Sequence, residues 1–415
     1  MIALCKYSTS ECESFAKMNA SSKSGLFQPL RLPCGVIFKN RIAKSAMSDS
    51  LGDGHGSVTD DQIRLYRRWA QGGLALSVVG EVQATPHFPE KPGNLVLNDH
   101  SAPQAFKSLA RAGSTNNAHL WLQLGHAGAM SDSLISRPKG PSELHLDGLV
   151  CGAFSLEEIR RLPEEFARTA VLAKQFGFGG VEIHAAHGFL LSQFLSPLFN
   201  KRMDAYGGGV KNRMRLLLEV VDCVRQAVGP NFPIGIKLNS TDQLKGGLRQ
   251  DEALAIVAAL DDTSTDLIDI SGGTYFPGAP SSSDRAGSGP YFAEFAKRAK
   301  TKTDIPLMVT GGFKTAQQAM TAIEDGQADL VGLARALILD PELPKKWQTG
   351  NSDNPEFPLF DNPPEGGVTA WYTMQITRIA QQGGDLSPED LPDAIEAYEA
   401  RDQKRRETWN RAFGT

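Results

Sequence analysis

Residues 179–209 read GGVEIHAAHGFLLSQFLSPLFNKRMDAYGGG, and this stretch decides the fold. Its Val-Glu-Ile-His segment alternates apolar and polar side chains as a β-strand does, which puts His184 on the polar face. Gly188 ends the strand, and an apolar run at helical spacing follows. His187 therefore lies in the turn beyond the strand. There it and His184 can point into one cavity and donate an N–H to a single oxygen atom.

Two other roles for this histidine pair stay open at this point. A histidine in an apolar strand is commonly a core residue whose ring nitrogens are hydrogen-bonded, and a pair of histidines can bind metal. A zinc site needs a third His, Cys or carboxylate ligand. The neighbourhood supplies only Glu182 and the more distant Asp204. We therefore expect no metal here.

The composition excludes several classes of protein. The 43 Lys and Arg and 47 Asp and Glu of the 415 residues give a net charge of −4, and no basic stripe indicates a nucleic-acid partner. Residues 1–25 lack the apolar core of a signal peptide, and no run approaches the roughly 20 apolar residues of a membrane helix. The five cysteines are scattered without a C-x-x-C pattern. We expect a soluble, cytoplasmic protein.

Apolar segments and helix-like segments alternate along residues 26–350, which indicates βαβ units and a parallel sheet. Eight units favour a closed (β/α)8 TIM barrel over an open sheet. An open sheet would normally carry a Gly-rich dinucleotide turn after its first strand, where this chain has Ala46-Met47-Ser48. The predicted strands are 41–47, 74–82, 119–124, 181–184, 234–238, 267–270, 307–310 and 330–333. The predicted helices are 59–71, 102–116, 156–176, 213–228, 250–261, 291–300 and 315–324.

Active groups of such a barrel lie on the loops after the strands, at the C-terminal face. Polar, glycine or otherwise unusual residues should therefore cluster at the end of each predicted strand or just after it, and they do. In strand order they are Ser48; Gly80 and Glu81; Gln123 and His126; His184 and His187; Lys237 and Asn239; Ser271, Gly272 and Gly273; Gly311 and Gly312; and Ala334 and Arg335.

Segments outside the repeating units have separate predicted roles. Residues 1–25 read as a poorly ordered extension, and residues 26–38 as a hairpin that plugs the floor of the barrel. Residues 125–154 are rich in Gly, Pro and Ser, and a loop this long is typical of a lid over the barrel mouth.

The C-terminal part, residues 351–415, reads as a linker followed by two helices. The helices are predicted at 368–382 and 389–413, and the second is strongly charged. They can pack on the outer side of the barrel or form a subunit contact in a homo-oligomer. The sequence leaves both alternatives open.

The turns after the seventh and eighth strands form the usual phosphate site of such barrels. Gly311 and Gly312 let backbone N–H groups approach an anion, and Arg335, after Ala334, adds a bidentate fork. The phosphate can belong to a cofactor or to a sugar phosphate.

The HAAHG motif carries a family resemblance, together with the FLSP and NKR segments, Asp204 and Tyr206-Gly207-Gly208. This pattern resembles the old yellow enzyme family, most closely the bacterial-type branch that includes the dienoyl-CoA reductase. The resemblance covers residues 26–350. It implies a (β/α)8 barrel that binds FMN and uses NADH or NADPH as reductant.

The resemblance also assigns residues to the flavin. A flavin ring needs an amide at its pyrimidine edge and a cation near N1 and O2, where negative charge gathers on reduction. WLQLGHAG and IGIKLNS resemble the segments that supply these groups, here Gln123 and Lys237. Alternatively, Gln123 caps a loop and Lys237 pairs with Glu182. The expected cofactor set is completed by Ala46, Met47, Ser48, Gly80, Glu81, Gly311, Gly312, Ala334 and Arg335.

In the family, two histidines hold the carbonyl or nitro oxygen of an activated alkene while the flavin delivers a hydride, which implies this catalytic role for His184 and His187. Family members often carry a proton-donating Tyr where this chain has Phe189. Tyr275 is a candidate substitute donor, and we place it and Phe189 in the substrate pocket.

Three functions therefore stay open. The first is reduction of activated alkenes by a flavoenzyme with an atypical proton donor. The second is desaturation or alkene isomerisation on the same barrel, and the third is a barrel that binds a phosphorylated ligand without redox chemistry.

Overall fold

The computed structural model describes residues 25–146, 148–276, 289–350, 353–383 and 385–414. The predicted N-terminal extension lies outside these residues except for Gly25. Within the described ranges, no helix combines the length and the apolar character needed to cross a membrane.

Eight parallel strands form a closed barrel, which confirms the predicted TIM-barrel fold. Each strand pairs with the next along the chain, and the eighth pairs back to the first. The strands are β1 (Ile42–Ser48), β2 (Leu76–Gln83), β3 (His119–Gly125), β4 (Gly180–Ala185), β5 (Ile234–Asn239), β6 (Leu267–Ser271), β7 (Leu307–Thr310) and β8 (Leu330–Leu333).

Seven helices surround the barrel in the order predicted, and the sequence explains several of their starts. Thr59, Ser155 and Thr315 each accept a hydrogen bond from the backbone N–H three residues on, as N-cap residues do. The helices are α1 (Asp60–Gln71), α2 (Pro103–Gly113), α3 (Leu156–Gln175), α4 (Arg215–Val228), α5 (Gln250–Asp261), α6 (Ala293–Ala299) and α7 (Ala316–Glu324). Short helices also span Leu190–Leu195, Val210–Arg213, Arg335–Leu339 and Leu343–Gln348.

The predicted hairpin closes the floor of the barrel. Leu30–Arg31 pairs antiparallel with Ile37–Phe38. Phe38 is buried against the first residues of several strands, and its ring centroid lies 5.7 Å from that of Trp121. Apolar side chains therefore fill the barrel interior at this end.

The predicted lid contains a short sheet built from Lys139–Gly140, Leu144–Leu146 and Leu149–Ala153. The segment after β4 holds it in place. The Gln193 amide accepts a hydrogen bond from Ala129 N at 3.1 Å and donates one to Ala127 O at 3.0 Å.

The C-terminal extension forms two helices, α8 (Gly367–Ala380) and α9 (Leu391–Phe413). Helix α8 lies on the outer side of the barrel, where Arg64 of α1 donates to Ala380 O at 2.9 Å. For α9, the predicted alternative of packing on the outer side of the barrel is wrong. Its Trp409 donates to Pro86 O at 3.2 Å, and its Arg406 pairs with Asp132 at 2.8 Å. Helix α9 therefore lies on the loops after β2 and β3, at the mouth of the barrel.

Candidate active site

Four polar side chains meet inside the barrel, towards the C-terminal ends of β3 to β6. Strand register places Glu182 opposite Gln123 and Lys237 opposite Asp269. All four are buried. The sequence analysis gave no functional role to Glu182 or Asp269, although a carboxylate within an otherwise apolar strand is a signal that could have identified them.

The pairing of these groups differs from the predicted alternative. Lys237 forms an ion pair with Asp269, not with Glu182. Gln123 is bound to the neighbouring strand, since its Nε2 donates to Glu182 Oε1 at 2.7 Å. Thr310 Oγ1 donates to Asp269 Oδ1 at 2.6 Å. Burial disfavours the Lys237 cation, but the carboxylates of Asp269 and Glu182 outweigh it and raise the pKa of Lys237. Lys237 is therefore a permanent cation in the barrel.

The two predicted histidines lie together at the mouth, with ring centroids 5.2 Å apart. His184 is in β4, and its Nδ1 accepts a hydrogen bond from Ala186 N at 3.2 Å. A neutral His184 therefore carries its proton on Nε2, which lies 3.2 Å from Glu81 Oε1. His187 is in the turn with φ +60°, and its Nε2 lies 2.8 Å from Ser271 Oγ.

Burial keeps both imidazoles neutral. It lowers the pKa of His184 well below its ordinary value and that of His187 to about 3, and the positive charge of Lys237 adds to both shifts. Within the described ranges, no group of three or more His, Cys, Asp or Glu side chains is arranged to hold a metal ion. Neutral imidazoles can donate one N–H each, which suits an oxygen ligand.

Two aromatic rings complete the predicted substrate-binding set. The Phe189 centroid lies 5.0 Å from that of His184, and the Tyr275 centroid lies 5.6 Å from that of His187. Phe189 is buried, whereas Tyr275 is 58% exposed at the mouth. The structure thus brings together the four residues that the sequence analysis placed in the pocket.

The predicted cofactor residues of β1 and β2 border Gln123. A β-carbon on Gly80 would lie 3.0 Å from Gln123 Oε1 and 3.2 Å from the backbone oxygen of Met47 and the Cβ of Ala46. Gly80 therefore leaves the space in which the Gln123 amide lies. Ser48 is opposite Gly80 in the strand register, and its Oγ accepts a hydrogen bond from the Asn94 amide at 3.5 Å.

Glu81 is directed towards the histidines. Gln83 Nε2 donates to Glu81 Oε2 at 3.1 Å. Glu81 Oε1 faces His184 Nε2 at 3.2 Å and has no hydrogen-bond partner in the part of the chain that the structure describes. Burial raises the pKa of Glu81 well above its ordinary value, and the charge of Glu90 adds to this. Burial thus favours the protonated form of Glu81 over the carboxylate.

The predicted phosphate turns lie side by side, since Thr310 of β7 is opposite Gly332 of β8. Gly311 and Gly312 have φ values of +117° and +85°, which favour glycine, and a β-carbon on Gly312 would lie 2.0 Å from Gly289 O. Arg335 follows Ala334 at the start of the short helix after β8, and its guanidinium lies 5.7 Å from the Tyr372 ring of α8. The contact with α8 was not predicted.

Known proteins resemble this chain over most of its length. The model of the NADH:flavin oxidoreductase / NADH oxidase family matches residues 25–354. The NADH-dependent flavin oxidoreductase iliE of Neonectria sp. (strain DH2) is 35% identical over 355 residues, which cover 77% of this chain and 46% of that protein. The 4,4'-dithiodibutanoate disulfide reductase of Rhodococcus erythropolis is 30% identical over 372 residues, or 81% of this chain and 91% of that protein. The structure of morphinone reductase matches with a TM-score of 0.68 and 26% identity, covering 80% of this chain and 91% of that one. The chain thus spans about half the length of the first relative.

Proposed function

Because the chain belongs to the NADH:flavin oxidoreductase / NADH oxidase family, we propose that it reduces the C=C bond of activated alkenes, such as α,β-unsaturated carbonyl or nitro compounds. The family match confirms the predicted old yellow enzyme membership and the predicted cofactors, FMN with NADH or NADPH. The observation that carries the proposal is the pair of neutral imidazoles, 5.2 Å apart at the mouth of the barrel.

The residues present fit an FMN. The Gln123 amide, in the space left by Gly80, would bind the flavin ring, and the buried Lys237 would supply a cation beside it. The Gly311-Gly312 turn and Arg335 would hold the phosphate. The chemistry that FMN supplies when bound is hydride transfer, from the nicotinamide to the electron-poor carbon of the alkene.

The histidines hold and polarise the oxygen of the substrate. His184 donates through Nε2–H, and the substrate oxygen replaces Glu81 as the neighbour of that proton. His187 Nε2 lies 2.8 Å from Ser271 Oγ. We assign the hydroxyl as the donor in this hydrogen bond, because that tautomer leaves the His187 proton on Nδ1 for the substrate. Withdrawing electron density from the oxygen makes the β-carbon electrophilic, and holding it fixes the geometry for hydride transfer.

Protonation of the other alkene carbon needs a donor other than Phe189. The Tyr275 ring lies 5.8 Å from the Phe189 ring and 5.6 Å from the His187 ring, so its hydroxyl can serve the same pocket. We therefore assign this proton to Tyr275, with solvent at the mouth as its source.

The test is an anaerobic reaction of the FMN-loaded protein, reduced with one equivalent of NADH or NADPH, with 2-cyclohexenone. The proposal predicts that the flavin absorbance returns and that cyclohexanone forms in equal amount. A flavin that stays reduced while the enone is recovered unchanged, for a series of enones and nitroalkenes, would contradict it.

Disulfide reduction is a second candidate function. A relative with 30% identity is named a disulfide reductase, and Phe189 favours a reaction that needs no protonation of carbon. A hydride delivered to one sulfur breaks the S–S bond and gives a thiol and a thiolate, and the thiolate then takes a proton from water. Release of thiol from 4,4'-dithiodibutanoate, measured beside enone reduction, decides between the two substrates.

A further inference from the structure

Glu182 is a buried carboxyl to which the proposed reaction gives no role. It lies on β4, two residues before His184, and has no solvent exposure. Gln123 donates to its Oε1, but among the described residues its Oε2 has no hydrogen-bond partner. A buried carboxyl oxygen without a partner costs stability, so packing alone does not explain a glutamate here.

Five groups on the surrounding strands act on Glu182. They are Gln123 of β3, Lys237 of β5, Asp269 of β6, Lys44 of β1 and Glu81 of β2. Lys237 is paired with Asp269, and Lys44 donates instead to Val78 O at 2.7 Å. An ionised Glu182 is therefore a second carboxylate beside an ammonium whose charge Asp269 already offsets.

We propose that Glu182 takes up a proton from solvent when the bound flavin is reduced, and releases it when the flavin is reoxidised. The proposal rests on the placement of FMN beside Gln123 and Lys237. Reduction by the nicotinamide hydride adds two electrons to the cofactor, and negative charge gathers on the side of Lys237. A like charge nearby disfavours a carboxylate, so the carboxylate form of Glu182 becomes the acid form.

The state of Glu182 before reduction supports this proton uptake. Burial raises the pKa of Glu182 to about 7, although Lys237 opposes the shift. The carboxyl thus titrates in the neutral range. There, a modest negative charge added to the nearby flavin is enough to change its protonation. Because Gln123 Nε2 is bound to Glu182, Gln123 Oε1 faces Gly80, and the same carboxyl fixes the orientation of the amide.

The test is the pH dependence of the FMN midpoint potential in the holoenzyme, compared with Glu182→Gln. One extra proton taken up per two electrons makes the midpoint potential fall by a further 29.6 mV for each pH unit. For a two-electron couple, 29.6 mV corresponds to a tenfold change in the equilibrium constant. We expect a slope in Glu182→Gln that is shallower by up to this amount between pH 6 and 8, and a higher potential at pH 8. Glu324→Gln, an exposed position at the end of α7, is the matched control and should keep the wild-type slope.

A second measurement covers a variant that does not bind FMN. The reduced-minus-oxidised infrared spectrum of the wild-type holoenzyme should show a carboxylic acid C=O band that appears on reduction. Equal slopes in wild type and Glu182→Gln overturn the proposal, as does the absence of this band. Neither readout involves an alkene, so the two proposals can fail separately. Enone reduction can be refuted while proton uptake by Glu182 is observed, and proton uptake can be refuted while enone reduction is observed.

Discussion

Replacing Lys237 by methionine tests the buried charge pair that lies beneath the proposed flavin site. Lys237 is 1% exposed and Asp269 is 0% exposed, so the variant leaves an aspartate in the barrel without its cation. Removing one partner of a buried ion pair typically costs about 3–5 kcal/mol. The variant can also avoid the unpaired charge by protonating Asp269. At pH 7 this costs about 4 kcal/mol, because pH 7 lies roughly three units above the unperturbed aspartate pKa near 3.9 and each unit costs about 1.4 kcal/mol.

The pH dependence of this loss follows from the same argument. An Asp269 without Lys237 has a raised pKa in the folded state, so the folded protein binds a proton that the unfolded chain has already lost. The stability of the variant then falls as pH rises above 3.9, and the deficit is about 1.5 kcal/mol at pH 5 and about 4 kcal/mol at pH 7.

Urea unfolding measures this deficit. Unfolding at several FMN concentrations, extrapolated to zero ligand, separates the lost ion pair from any change in FMN affinity. The double variant Lys237→Met/Asp269→Asn removes the unpaired carboxylate and should recover most of the loss. A loss below about 1 kcal/mol at pH 7, or a double variant no more stable than the single one, would refute the reasoning.

Three further variants test the pocket and the C-terminal helix. Phe189→Tyr restores a proton donor and should raise enone turnover by up to about 10²–10⁴-fold where proton delivery limits the rate. An unchanged rate, with solvent deuterium at the same carbon of the product, shows that proton delivery from this position is not rate-limiting. Ser271→Ala removes the partner of His187 Nε2 and should weaken enone binding by about 2- to 12-fold, while the flavin spectrum stays unchanged. Enone binding is measured by titration followed through the flavin absorbance, and unchanged binding would contradict the tautomer assigned to His187. Trp409→Ala should cost about 3–5 kcal/mol in urea unfolding, because Trp409 is fully buried with Val96 and Ile135; a neutral effect would contradict the docking of α9.

The barrel was predictable because strand and helix periods are local properties. The predicted bounds of β7 and β8 match the structure, and so do those of α5. The neighbouring positions of the Gly311-Gly312 and Ala334-Arg335 turns, and those of His184 and His187, were predictable because the C-terminal ends of parallel strands meet at one face.

The partner of Lys237 was not predictable in this way. Asp269 and Glu182 lie on the two strands that flank β5, and alternation alone points both carboxylates inward. The choice between them depends on Thr310 and Gln123, which bind the two carboxylates from strands distant in sequence. The position of α9 escaped prediction because it depends on Trp409, one residue of a strongly charged helix, which is buried against segments far away in the chain.

The role of the two imidazoles is tested most directly by rapid mixing of the reduced, FMN-loaded enzyme with 2-cyclohexenone, without oxygen. His184→Ala/His187→Ala should keep the visible FMN spectrum and should be reoxidised by oxygen as the wild type is. Its reoxidation by the enone should be slower by at least about 10²–10³-fold, the usual effect of removing a donor to a developing oxyanion. Reoxidation by the enone at the wild-type rate would contradict the proposed function of His184 and His187.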